Sequence, residues 1–115
     1  MILRKLSEAI GVSSAEDAVR DLIYEHIRDY VEDARIDALG NLIAVRRGTG
    51  AVDLRVMAAA HMDEVGMIVI GYDSDGSLRF RAVGGLDARI LPGTRVLVGP
   101  DRIPGVIMWT PIHLN

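Results

Sequence analysis

Apolar residues return at helical spacing from the start of the chain. Ile2, Leu3, Leu6, Ala9 and Ile10 mark one face of a short amphipathic helix over residues 2–10, and Gly11 is suited to end it. Ser13-Ser14-Ala15-Glu16 has the form of a capping box, in which a serine hydroxyl caps the next helix and Glu16 reaches back. Glu16 and Asp17 also suit the positive end of that helix's dipole. Val19, Leu22, Ile23, Ile27, Tyr30 and Val31 form the apolar stripe of a helix predicted over roughly residues 15–32.

After Glu32 the period changes from helical to extended. Residues 34–37 and 41–46 read as short strands around a turn at Ala38-Leu39-Gly40-Asn41, and Gly48-Thr49-Gly50 as a loop. Leu54 to Ala60 is a nearly continuous apolar run bounded by polar residues. That pattern predicts a strand buried on both faces, in the middle of a sheet. Residues 65–72 and 77–83 read as a hairpin around Asp73-Ser74-Asp75-Gly76, with Gly at the position that needs positive φ. Gly84-Gly85 breaks the pattern. Residues 95–98 form the next predicted strand, 100–104 a turn and 105–109 the last strand. The fold class is therefore α/β, with two helices, then strands. The change to short strands near residue 65 marks the expected domain boundary.

The bulk properties narrow the function without choosing it. The chain has 115 residues, enough for one modest domain and too few for a large two-domain enzyme. A net charge of −3 gives no electrostatic reason to expect nucleic acid or an anionic membrane as partner. The absence of cysteine leaves His, Asp and Glu as the side chains to hold a metal, and it fits a reducing compartment. The first residues lack the apolar core of a signal peptide, and the apolar run Val56 to Ala60 is far too short to span a bilayer. These features lead us to expect a soluble cytoplasmic protein.

The candidate chemistry lies in Ala60-His61-Met62-Asp63-Glu64-Val65-Gly66. His61 follows the apolar run, and open α/β sheets bind ligands outside the carboxyl ends of their strands. In extended backbone, positions i and i+2 point to the same side. Asp63 can therefore orient the His61 ring through one nitrogen while the other binds a metal. Taken alone, His-x-Asp is a weak signal, and a hydrogen-bonded surface histidine explains it better than a metal ligand does.

The longer context is more specific. Ile10-Gly11-Val12-Ser13 with Glu16, Asp37 with Leu39-Gly40-Asn41-Leu42-Ile43-Ala44, and Ala59 to Gly66 form three blocks. Gly84-Gly85-Leu86-Asp87 with Arg89, Leu91, Gly93 and Arg95-Val96 makes a fourth, and Pro104-Gly105-Val106-Ile107 a fifth. In this order they resemble the N-terminal part of the glutamyl/deblocking (tetrahedral) aminopeptidases, co-catalytic metallopeptidases. The chain departs from that pattern in places. Ile10 stands for a usual Pro, Ser14-Ala15 for Gly and an aromatic, and Met108 to Leu114 follows the family only loosely.

The resemblance implies a metal-dependent aminopeptidase that removes the N-terminal residue of peptides. It implies two divalent metals, zinc or cobalt, with His61 as a terminal ligand and Asp63 as its orienting carboxylate. Residues 1–66 would begin the mixed-sheet peptidase domain, and residues 67–115 a small inserted β-rich dimerisation domain. A homo-oligomer is then expected. Family members are much longer, so the chain is expected to be a fragment that lacks the bridging Asp, the catalytic Glu and the remaining ligands, and to be inactive alone. Two rival readings are a non-catalytic remnant that offers strand edges for self-association or partner binding, and an endoglucanase. Glycoside hydrolysis normally uses two facing carboxylates, and a His-x-Asp at a strand end favours metal hydrolysis instead.

Other residues receive structural readings. Glu64 is a surface or structural carboxylate, and His26 a partly buried helix histidine. His113 matches a family histidine close to the end of the sequence. Asp73 and Asp75 before Gly76 lack the distal Glu of an EF-hand and fit a plain hairpin turn. Arg46-Arg47 is a solvated pair, Asp87 and Arg89 pair to shape a loop, and Trp109 is core or interface.

Overall fold

The computed structural model describes residues 1–52 and 54–109; His113 and the segment around it lie outside the described residues. Two compact units form, Met1–Gly84 and Gly85–Asn115. The first carries helices α1 (Ile2–Glu8) and α2 (Asp17–Ile27) and strands β1 (Asp33–Ile36), β2 (Leu42–Val45), β3 (Gly66–Tyr72) and β4 (Leu78–Val83). The second carries β5 (Arg95–Val98) and β6 (Ile103–Val106). The α/β class is as expected, two helices followed by strands. Among the described residues the strands pair as three separate antiparallel hairpins, β1–β2, β3–β4 and β5–β6.

Local chemistry explains most of these elements. An Arg4–Glu8 pair at 2.8 Å, spaced i,i+4, supports α1, which stops two residues before the expected end because Ala9 turns extended. Helix α2 buries Val19, and its regular turns end at Ile27. Tyr30, counted in its apolar stripe, sits instead in a 3-10 turn, Arg28–Tyr30. Tightening the last turn in this way is a common route out of a helix. Ser14 and Glu16 also depart from the capping box. The helix begins at Asp17 with no side-chain cap, and the Glu16 carboxylate accepts the Ser14 N–H at 2.8 Å.

In the turn between β1 and β2, the Asp37 carboxylate accepts the N–H of Leu39 and of Asn41, each at 2.9 Å, and the Asn41 side-chain amide at 2.8 Å. This is the Asx-turn chemistry that makes aspartate a turn residue. The Asn41 side-chain bond, then the Asn41 N–H, hold the Asp37 carboxyl below its ordinary value. At the β3–β4 turn, Gly76 takes φ +86°, and Asp73 pairs with Arg79 at 3.2 Å.

Two strand expectations are corrected. Leu54 to Ala60 forms no ladder, and Leu54, Val56 and Met57 are 75%, 83% and 88% exposed. A strand buried on both faces needs a neighbour on each side, and among the described residues none pairs with this run. The last strand is not residues 105–109 but Ile103–Val106. The chain reverses earlier than expected, with Gly99 at φ +69° and Arg102 at φ +54°. Pro104 pairs with Leu97 and brings no N–H, as suits an outer strand. Ile107 then closes on the preceding loop, bonding Thr94 and Gly93 through its backbone at 2.9 and 2.8 Å. Leu91 and Ile107 are the buried apolar side chains described in this unit.

One long-range clamp bears on the candidate chemistry. Val12 and Glu64 form an isolated parallel bridge. The Glu64 N–H donates to the Gly11 carbonyl at 2.7 Å, and the Gly11 N–H donates to the Glu64 carboxylate at 3.3 Å. Two glycines let the segments meet. A Cβ at Gly11 would lie 2.6 Å from Val19 Cγ2, and one at Gly66 would lie 2.4 Å from Val12 Cγ2.

Two predictions follow from these contacts. Because Asp37 has a depressed folded-state pKa, its turn contributes stability above the ordinary carboxylate range, near pH 4. That contribution is lost as pH falls through the depressed value. Acid melting curves of wild type and Asp37→Asn should converge as Asp37 protonates; curves that stay parallel to pH 2 would refute the assignment. Separately, Gly66→Ala should cost about 1–3 kcal/mol by overpacking against Val12. In a Val12→Ala background most of that cost should disappear. Strictly additive urea midpoints would show that Gly66 serves some other contact.

Candidate metal centre

His61 and Asp63 lie just before the clamp, between the exposed apolar run and β3. His61 Nδ1 sits 3.0 Å from Asp63 Oδ1 and 3.0 Å from the Asp63 carbonyl oxygen. Two acceptors facing one nitrogen assign the proton to Nδ1, which leaves the Nε2 lone pair available. The second carboxylate oxygen of Asp63 accepts the Ser13 hydroxyl at 2.6 Å. A neutral donor bonded to a carboxylate favours its charged form. The Asp63 carboxyl is accordingly held below its ordinary value, mainly by Ser13, with smaller help from His61.

The capping-box reading assigned a serine hydroxyl to the helix, but Ser13 gives its hydroxyl to Asp63, 50 residues away. Its neighbour Ser14 adopts φ +73°, a left-handed conformation that glycine tolerates best. This turn carries the chain from the clamp into α2.

A cleft of about 170 Å³ is lined by Glu16, the turn residues Leu39, Gly40 and Asn41, and residues 60–63. A larger hollow of about 470 Å³ in the second unit is lined by Arg95, Val96, Leu97 and residues 104–106. It offers no histidine or carboxylate, so the smaller cleft is the candidate site. His61 is 85% exposed on its side chain and Asp63 40%. Among the described residues, no three or more His, Cys, Asp or Glu side chains gather to hold a metal ion.

Other singled-out residues are engaged elsewhere. Glu64 is bonded to the Gly11 N–H. His26 Nδ1 lies 2.8 Å from the Leu22 carbonyl of its own helix. Asp75 accepts the Ser77 N–H in the hairpin turn, and Arg89 grips Asp87 at 2.6 Å. The Arg47 N–H donates to Glu32, and Trp109 is exposed. The sequence reading missed Ser13 as a partner of Asp63, and missed Glu16 and the Leu39–Asn41 turn as cleft walls. Their presence in the family-like blocks was the available signal; spacing gave none.

The family model of M42 glutamyl aminopeptidases matches residues 40–115. A lysyl aminopeptidase of Pyrococcus furiosus is 38% identical over 99% of this chain, which spans 33% of it. The TET1 peptidase of Pyrococcus horikoshii, described as assembling into a tetrahedron or a large octahedral shell, superposes with a TM-score of 0.77. It is 39% identical, over 99% of this chain and 35% of its own. A Thermotoga maritima protein described as an endoglucanase superposes with a TM-score of 0.85. It is 44% identical, over 95% of this chain and 34% of its own. The chain thus spans about one third of the length of these relatives. With a family model covering well over half of its residues and this likeness in fold, the chain belongs to the M42 glutamyl aminopeptidase family.

Proposed function

We propose that this chain contributes part of the active site of a metal-dependent aminopeptidase, which removes the N-terminal residue of peptides. His61 serves as a metal ligand through Nε2, and Asp63 holds the ring through Nδ1. The observation that carries the reading is the 3.0 Å contact between His61 Nδ1 and Asp63 Oδ1, since a metal-binding histidine usually gives its other ring N–H to a carboxylate or carbonyl that fixes the ring.

The donors fit a divalent ion. A neutral imidazole with its proton held on Nδ1 offers Nε2, and imidazole suits zinc and cobalt alike. A pair of such ions, when bound, supplies polarisation of a peptide carbonyl and a water of lowered pKa. The residues of this chain hold and orient. Asp63 fixes the His61 ring, the clamp fixes Asp63, and the Leu39–Asn41 turn walls the cleft. By the resemblance, the remaining ligands and the proton-carrying glutamate belong to the part of the relatives that this chain does not span.

Residues 1–66 begin the peptidase domain in this reading, and residues 67–115 begin an inserted dimerisation domain. The assemblies described for TET1 support a homo-oligomer. No helix among the described residues is long and apolar enough to cross a membrane; the cytoplasmic location in this reading rests on the sequence alone. The endoglucanase reading fits less well. It needs two facing carboxylates, whereas Asp63 is bonded to Ser13 and His61, and Glu16 to Ser14.

The test is a chimera in which this chain replaces the matching third of the Pyrococcus furiosus lysyl aminopeptidase. Zinc- or cobalt-dependent release of chromophore from aminoacyl substrates is expected, lost in His61→Ala and lowered about 10–100-fold in Asp63→Asn. A folded chimera that works equally well without His61 would defeat the metal reading, and release of reducing sugar from cellulose would favour the endoglucanase. Light scattering of the isolated chain should give more than a monomer mass; a monodisperse monomer at high concentration would count against the oligomer.

A further inference from the structure

We infer that Ser13 is a positioning residue for His61, acting through Asp63; this rests on His61 binding metal through Nε2. The His61 side chain is 85% exposed, so packing does little to fix its ring. Its orientation depends on Asp63, and a carboxylate rotates in a broad, roughly two-fold well unless something engages both oxygens. Ser13 engages the second one. Its Oγ–H donates to Asp63 Oδ2 at 2.6 Å while Oδ1 faces His61 Nδ1 at 3.0 Å. The length is that of a charge-assisted O–H···O⁻ bond.

Ser13 is itself held on both sides. Before it, Val12 bridges Glu64. After it, Ser14 turns left-handed at φ +73°, and its N–H is held by the Glu16 carboxylate at 2.8 Å. The Ala15 N–H closes back on the Val12 carbonyl at 2.7 Å. The turn at residues 12–16 is therefore a bracket that presents one hydroxyl to one carboxylate oxygen. A role in merely tacking this turn to the loop would use the same bond, so the test must read the imidazole itself.

The experiment compares wild type with Ser13→Ala, Ser13→Thr and Ser13→Val. Thr and Val share a shape, so their difference isolates the hydroxyl even where Ser13→Ala disturbs the fold. Nitrogen shifts of the His61 ring, at a pH where it is neutral, report which nitrogen carries the proton. Zinc alone is the ligand for affinity, measured in the chimera with the Pyrococcus furiosus enzyme because this chain supplies one ligand, and the backbone amide spectrum reports the fold. Wild type and Ser13→Thr should keep the proton on Nδ1. Ser13→Val should shift population towards the other tautomer and lower zinc affinity about tenfold. Equal ring shifts and equal zinc affinity in the Thr and Val variants would overturn the inference. A tautomer shift with no zinc binding to any variant of that chimera, wild type included, would uphold the role of Ser13 and remove the metal reading.

Discussion

The bridge between Val12 and Glu64 holds the candidate site together. Among the described residues the stretch that leads into His61 belongs to no ladder, and Leu54, Val56 and Met57 in it are exposed. On the other side β3 begins at Gly66. Between these, backbone and carboxylate of Glu64 grip Gly11, and Ser13 grips Asp63. The N-terminal turn thus does for the His-x-Asp corner what a neighbouring strand does in a sheet. The two close approaches need residues without a side chain, Gly11 against Val19 and Gly66 against Val12.

Polar contacts carry much of the local order. Val19 is the buried apolar side chain described in the first unit, and Leu91 and Ile107 those of the second. Each hairpin is closed by its own turn chemistry, the Asp37 fan of hydrogen bonds, the Gly76 turn and the Gly99 turn. Such bonds contribute roughly 1 kcal/mol each net of water competition, but they fix direction well. Direction is what a ligand histidine requires. Asp63 is held as an anion by neighbours that donate to it, so it remains a constant partner for Nδ1 across the neutral range.

What could be read from the sequence was what depends on nearby residues. Helix α2, the β3–β4 hairpin and β5 follow from periodicity and turn residues within a few positions. The His61–Asp63 contact follows from an i,i+2 spacing. The run at Leu54 to Ala60 was misjudged because apolar composition records what a segment can bury, not whether a partner is present to bury it. Ser13 was misjudged because a capping serine and a serine that serves a distant carboxylate look the same in one dimension. The fold class and the family-like blocks were legible; the clamp, a pairing across some fifty residues, was not.

That separation governs the order in which the molecule assembles. A hairpin such as Asp33↔Val45 closes a short loop, whereas Ser13 and Asp63 stand 50 residues apart. The longer closure costs roughly two more doublings of loop length, about 1 kcal/mol of chain entropy. Local elements form first and distant contacts later, because the closure cost precedes the reward. Helices and hairpins can therefore be complete while the His61 ring is still free to turn. Recovery of secondary structure and recovery of a ligand-ready imidazole are then separate events in time, and the second waits for the chain's first fifteen residues to find its middle.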